Sequence, residues 1–163
     1  TQGVGSAAGV LVGQAVGAGM REEAKRRGVS FLLLTSALGV IGAILILFIG
    51  EWSIGLYKIE PETVEITRIM MLASVLVVPF QNIQSTLGKG VLRGGGDTKF
   101  LMVADVVFQW VASIPLGYLV GIVWHASPFI VLLAVRIDYF IKSIWFIIRL
   151  GSDKWIHQVK RQN

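Results

Sequence analysis

Cysteine is absent from the 163-residue sequence, and charged side chains are scarce. Without cysteine the chain can form neither disulfides nor thiolate metal sites, although this absence does not fix its redox compartment. Charged residues make up only 15% of the sequence, whereas soluble domains carry roughly 25%. The chain therefore lacks the charges that keep a protein surface in water, and lipid is the simplest alternative solvent.

Apolar residues make up 54% of the sequence, and the mean hydropathy is +0.70. They concentrate in five stretches, each close to the ~20 residues that a helix needs to cross a membrane. No stretch alternates polar and apolar residues with a period of two, which argues against β-strands. The predicted fold is an all-α membrane protein of about five transmembrane helices. The predicted spans are residues 3–19, 29–50, 66–92, 100–124 and 128–150, followed by a tail at 151–163.

Several residues mark the predicted ends of these helices. Pro61 precedes an acidic first turn, which predicts that the third helix begins there, before its apolar part. Asp97 or Thr98 can cap the fourth helix after a glycine-rich turn. Gly151 can end the fifth helix and leave a short tail, in which Trp155 and Ile156 are expected at the membrane interface.

Basic residues are distributed unequally between the two sides of the predicted bundle. Eleven of the fifteen Lys and Arg residues fall in the connection after the first span, in the glycine-rich turn or in the tail. Because Lys and Arg concentrate in cytoplasmic loops, the C-terminus is predicted to be cytoplasmic in a multi-pass protein of the plasma membrane. The net charge of +5 is therefore attributed to basic residues that face a membrane surface. Lipid is the expected partner and nucleic acid is not.

Glycines recur every four residues in the first span, at Gly5, Gly9, Gly13 and Gly17. This spacing leaves one helix face without side chains, so that another helix can approach closely. Tight packing alone is the preferred interpretation, and the alternative is a helix that slides or rocks. Gln14 is the strongly polar side chain of this span, and we expect it to face protein or a cavity.

Two further polar faces occur in the third and fourth spans. Gln81 and Gln84 share a helix face shortly after Pro79, which can kink the helix. Asp105 and Gln109 lie one turn apart near the cytoplasmic end of the fourth span. Each face could line a substrate path, and the face on the third span could equally make hydrogen bonds between helices. Asp105 could simply be hydrated, and this is preferred to an ion or proton role.

A charged cluster interrupts the fifth span at Arg136, Asp138 and Lys142. Asp138 and Lys142 are four residues apart and are predicted to form an ion pair. Arg136 points elsewhere and needs its own acceptor, while Lys142 could instead extend toward the cytoplasm. A neutralised structural pair is preferred to a charged cavity lining. The sequence shows no metal-ligand spacing, nucleophile elbow or P-loop, so neither a metal site nor an enzyme is expected.

Two motifs resemble those of multidrug and toxic compound extrusion (MATE) transporters. Residues 91–99, VLRGGGDTK, resemble the RG-x-GDT turn of this family, and residues 12–19, VGQAVGAG, resemble its GQ-x-x-GA helix end. Members have twelve helices in two six-helix lobes. The resemblance implies that residues 1–163 form most of the C-terminal lobe, as its last five helices. The motif residues are Gly13, Gly17, Arg93, Gly94, Gly96, Asp97 and Thr98.

The resemblance implies a sodium- or proton-coupled antiporter that exports drugs, organic cations or toxic compounds and needs no cofactor. In one branch of the family an acidic residue of the tenth helix contributes to the cation site. The corresponding third span has no Asp or Glu between Ile66 and Leu92, so the coupling site is expected in the missing N-terminal lobe. That lobe is an expected partner, because the chain begins at Thr1 inside an apolar helix.

Two alternatives belong to other functional classes. One is a lipid-linked polysaccharide flippase of related fold, to which Arg136 and Lys142 lend modest support through a basic cavity. The other is a membrane module that does not transport and only packs with partner subunits, which the glycine stripe would fit equally well.

Overall fold

A computed structural model describes residues 2–56 and 61–157, and the regular elements within these ranges are all helical. The all-α prediction is therefore confirmed. The α-helices are α1 Gln2–Gly17, α2 Arg21–Leu56, α3 Pro61–Ser85, α4 Thr98–Val107, α5 Ile114–Tyr118, α6 Pro128–Val135 and α7 Ile137–Gly151. Three π-helical segments, π1 Thr86–Leu92, π2 Phe108–Ser113 and π3 Leu119–Val123, are joined to them, and a 3₁₀ turn covers Asp153–Trp155. Lys58, Lys160 and Arg161, which entered the charge distribution, lie outside the described residues.

The third and fourth predicted spans are each one continuous helical rod. Helix α3 begins at Pro61, as predicted, and runs directly into π1. Helix α4 continues through π2, α5 and π3, so that the fourth rod covers Thr98–Val123. Together with α2, these rods are the three helices of the described chain that are long and apolar enough to cross a membrane.

The predicted connection after the first span is instead the beginning of a helix. The chain turns at Gly19, whose φ is +78°, and α2 starts at Arg21. Glu22 and Glu23 lie in its first turn, where negative charge favours a helix N-terminus. Glu23 also pairs with Arg27 one turn later at 2.5 Å. The second predicted span is therefore the middle of a 36-residue helix.

The fifth predicted span is not a single helix. It breaks at Arg136, whose φ of −99° and ψ of 8° end α6 and begin α7. The two segments differ in character: α6 is apolar throughout, whereas α7 buries Asp138, Lys142 and Phe146 on one face. The break lets α7 turn this face inward independently of α6.

Helices α1 and π1 meet along a seam of glycines. A Cβ atom built on Gly90 lies 2.5 Å from the Gly5 carbonyl oxygen, and one built on Gly94 lies 2.6 Å from the Gly9 oxygen. Only glycine permits this separation of the two backbones. The predicted packing of the stripe is confirmed at Gly5, Gly9 and Gly13. It is wrong at Gly17, since no described atom beyond the adjacent residues and backbone of α1 lies within 4 Å of a Cβ placed there.

The C-terminal tail packs into the glycine-rich turn that precedes α4. Trp155 is fully buried and its indole Nε1 donates to the Leu150 carbonyl at 3.0 Å. A Cβ on Gly95 would lie 2.3 Å from the Trp155 ring, so the missing side chain makes room for the indole. Helix α7 ends at Gly151 as predicted. Trp155 and Ile156 are both buried in the core, so their side chains face protein, and the interfacial depth expected for them stays a prediction.

Asp97 holds this tail and does not cap α4. It occupies the N-cap position, but its side chain makes no capping hydrogen bond. Its carboxylate accepts a hydrogen bond from Arg149 Nε at 2.7 Å and lies 3.4 Å from His157 Nε2. The predicted cap is therefore corrected: a carboxylate accepting from a guanidinium makes a stronger bond than one to a backbone amide.

Candidate functional site

A polar cleft lies between α3–π1, α4–π2 and α7. Three adjoining cavities of about 340, 400 and 230 Å³ share the side chains of Gln84 and Lys89. Asp105 lines the first two. Together these three cavities form the polar cleft, whose polar lining includes Gln81, Gln84, Lys89, Arg93, Asp105, Gln109 and Lys142.

The cleft is held open by contacts that place α7 against its neighbours. Ser143 Oγ donates to the Phe80 carbonyl of α3 at 2.8 Å, and the Phe80 and Phe140 rings lie 4.4 Å apart. Phe108 of π2 meets Trp145 edge-on at 5.4 Å. These contacts position α7 so that Lys142 lies between α3 and α4. The wider π-helical turns, which often occur at functional sites, contribute Lys89 and Gln109 to the lining.

Most of the polar residues singled out from the sequence meet in this cleft. Gln81 and Gln84 enter from α3, and Asp105 and Gln109 enter from α4 and π2. Gln14 does not join them: it is exposed on α1, on the side opposite the buried Val12. A role for these residues in lining a substrate path stays a prediction.

Lys142 bridges two carboxylates at the base of the cleft. Its Nζ lies 2.9 Å from Asp105 Oδ1 and 3.2 Å from Asp138 Oδ2. The predicted pair with Asp138 is present, and the contact with Asp105 adds a partner from another helix. The side chains of Lys142 and Asp138 are 5% and 6% exposed, whereas that of Asp105 is 58% exposed. Lys142 therefore does not extend to the cytoplasm, because burial favours an ammonium paired with both carboxylates.

Arg136 belongs to a different environment from the other two charges of the predicted cluster. Its side chain is exposed and its Nη1 donates to the Tyr139 hydroxyl at 2.8 Å. The guanidinium also lies 5.4 Å from the centroid of that ring. Tyr139 is thus the acceptor that Arg136 was expected to need.

Lys89 and Arg93 line the cleft, although in the sequence they stood out only through the charge distribution and the turn motif. Both side chains are exposed, and within residues 2–56 and 61–157 neither makes an ion pair. Continuing the predicted polar face from Gln81 in steps of four residues leads through Ser85 to Lys89 and then Arg93. That periodicity was the signal that could have identified them.

The two sequence motifs contact each other. A Cβ on Gly13 would lie 3.4 Å from the Gly94 carbonyl oxygen, so the start of the first motif packs on the start of the second. Gly96 has a φ of +91°, which strongly favours glycine at the turn. Thr98 begins α4 and lines the cleft beside Arg93. In the described part of the chain no three His, Asp or Glu side chains are placed to hold a metal ion.

Comparison with known proteins identifies a family and several relatives. The MatE family profile matches residues 1–119. "Multidrug resistance protein MdtK" of Yersinia pestis (strain Pestoides F) is 29% identical over 122 residues, which cover 75% of this chain and 26% of the relative. "Probable multidrug resistance protein NorM" of Pasteurella multocida (strain Pm70) is 29% identical over 115 residues, covering 71% and 25%. No solved structure matches significantly.

The extent of these matches limits what they transfer. The chain spans about a quarter of the length of the curated relatives that it matches. The matched family region contains Gln84, Asp105 and both motifs, but it ends before Asp138 and Lys142. The bridge at Lys142 is therefore a feature of the structure that the family profile does not address.

Proposed function

This chain belongs to the multidrug and toxic compound extrusion (MATE) family, and we propose that it forms part of an antiporter that exports drugs, organic cations or toxic compounds. The observation that carries the proposal is the family match over residues 1–119. The names of the relatives, which are multidrug resistance proteins, support the class of substrate. Family membership also favours a transporter over an enzyme or a packing module.

The polar cleft supports a role in transport as one wall of a path. Alternating access in folds of this kind requires two lobes that move around a site between them. We propose that the N-terminal lobe of the same transporter faces this chain and closes the path. Gln84, Asp105 and Gln109 would then contact the substrate, because they are the polar groups that reach the 400 Å³ cavity from α3, α4 and π2.

Coupling to sodium or protons belongs to the proposal, and its site is placed in the N-terminal lobe. The α3–π1 rod carries no Asp or Glu between Ile66 and Leu92. Two carboxylates line the cleft, those of Asp105 and Asp138, and both already contact Lys142. Within the cleft of the described chain, each carboxylate that a coupling cation could bind is therefore already paired with a positive charge.

We propose that the chain lies in the plasma membrane with its C-terminus in the cytoplasm, because most of its basic residues share one side. Cysteines introduced at Arg26 and Ser127 are expected to react with an impermeant maleimide from the cytoplasm and the exterior, respectively. Both positions are exposed at opposite ends of the bundle. Labelling from the same side would contradict the proposed orientation.

Transport is tested by comparing this chain with the longer protein that would supply a second lobe. In an efflux-deficient host, the longer protein should lower accumulation of a fluorescent organic cation in a sodium- or proton-dependent manner. The 163 residues alone should behave as an empty vector. Asp105→Asn in the longer protein should reduce efflux, and Lys99→Gln, an exposed change outside the cleft lining, should not. Ion-dependent efflux by the 163 residues alone would contradict the need for a second lobe.

A further inference from the structure

The end of the polar cleft beside the glycine-rich turn carries an excess of positive charge. Lys89 and Arg93 are four residues apart, both reach the 340 Å³ cavity, and neither is ion-paired within the described ranges. Asp105 is the one acidic residue among the side chains lining that cavity. Its charge is already met by Lys142 at 2.9 Å. A cationic ligand is therefore disfavoured at this end, and an anion is favoured.

Gln84 provides a second and independent indication of a ligand. Its side chain is 8% exposed and lines all three cavities. Within the described residues its amide makes no side-chain hydrogen bond. Neither of its amide atoms is among the fully buried polar atoms that lack a partner, so the amide faces the cavity and can donate a hydrogen bond to a ligand there. Thr98 adds a hydroxyl on the opposite wall of the same cavity.

The same cavity has an apolar side, which distinguishes it from a site for a small free anion. Leu101 and Phe146 line it beneath the polar groups. Also on α4, Met102 is 64% exposed, and Val106, which lines the adjoining 400 Å³ cavity, is 54% exposed. A ligand with a charged head and hydrocarbon chains fits both parts.

We propose that this end of the cleft binds the phosphate group of an anionic phospholipid. Arg93 can bind phosphate oxygens in a bidentate manner, and Lys89 supplies a point charge. The Gln84 amide and Thr98 hydroxyl complete the set of donors, while the acyl chains lie along Met102 and Val106. The leaflet facing the basic side is the one rich in anionic lipids, which is consistent with the orientation proposed above.

Lipid titration of the purified 163-residue chain tests this site. Binding of dioleoyl phosphatidylglycerol in dodecyl maltoside is measured by native mass spectrometry, with dioleoyl phosphatidylcholine as the lipid without net charge. Lys89→Gln and Arg93→Gln should each weaken phosphatidylglycerol binding about fivefold, the effect of one basic residue near an anionic membrane surface. Lys99→Gln is the matched control, because it removes the same charge from an exposed residue outside the cleft lining.

A neutral substitution separates a built site from diffuse surface charge. Gln84→Leu removes the buried amide without changing net charge, and it should also weaken phosphatidylglycerol binding. If Gln84→Leu does not give folded protein, Gln84→Glu keeps the shape and should abolish that binding. Equal effects of Lys89→Gln and Lys99→Gln, or equal binding of the two lipids, would overturn the proposal.

Competition distinguishes a lipid from a free anion. Glycerol 3-phosphate shares the phosphate chemistry but lacks the hydrocarbon chains, so it should displace phosphatidylglycerol only at far higher concentration. Displacement by both ligands at similar concentrations would show that the apolar wall contributes nothing and would refute the lipid assignment. These measurements require no transport, so they are independent of whether the antiporter proposal succeeds.

Discussion

Alanine at Gly90 tests a close approach between the backbones of α1 and π1. The new Cβ would lie 2.5 Å from the Gly5 carbonyl oxygen and 3.0 Å from the Ala8 Cβ. Nonbonded carbon atoms prefer separations of roughly 3.5 Å or more. The obstructing oxygen belongs to the α1 backbone and cannot rotate away, so α1 and π1 must move apart by up to about 1 Å.

The expected cost follows from comparing two opposing effects. Overpacking a tight contact typically destabilises by about 1–3 kcal/mol. Alanine also favours a helix over glycine by up to about 1 kcal/mol, which partly offsets this cost. Gly17→Ala is the matched control, because α1 contains it and no described atom beyond the adjacent residues and backbone of α1 lies within 4 Å of the added methyl group. The difference between the two variants should therefore be about 1–3 kcal/mol.

Unfolding of the purified chain in mixed dodecyl maltoside and SDS micelles, followed by circular dichroism, measures this difference. Gly90→Ala should unfold at a lower SDS fraction than the wild type, and Gly17→Ala at the same or a higher fraction. The four-residue repeat in the sequence would instead predict the same loss of stability at Gly17 as at Gly5, Gly9 and Gly13. Equal stabilities of the two variants would refute the seam between α1 and π1.

Two further variants test the charged contacts by the same unfolding assay and by proteolysis. Lys142→Met leaves Asp138 buried without an ammonium and should destabilise by about 3–5 kcal/mol, whereas adding Asp138→Asn should recover part of this loss. A double variant no more stable than Lys142→Met would argue against the pairing. Asp97→Asn weakens a charge-assisted bond from Arg149, at a cost of about 1–2 kcal/mol at this partly exposed site. It should speed tryptic cleavage after Lys154, measured by mass spectrometry, and unchanged cleavage would show that Asp97 does not hold the tail.

Local sequence patterns were sufficient for the class of fold and for contacts within one helix. Long apolar stretches predict helices in lipid because every backbone group must be hydrogen-bonded within the helix. The pairing of Asp138 with Lys142 follows from four-residue spacing alone, since such residues are neighbours on any helix. Two short motifs identified the family, which the match over residues 1–119 confirms.

Contacts between helices depend on how each helix is rotated, and spacing within one helix does not specify that rotation. The bridge from Lys142 to Asp105 requires α7 to face α4, and the break at Arg136 makes this rotation possible. The same reasoning explains why Lys89 lines the cleft and why Gly17 lies beyond the seam. The amino-acid order thus established the helices and the side chains that share each face. Packing of α3, α4 and α7 decided which of those faces surround one cleft, because only tertiary contacts orient the helices toward one another.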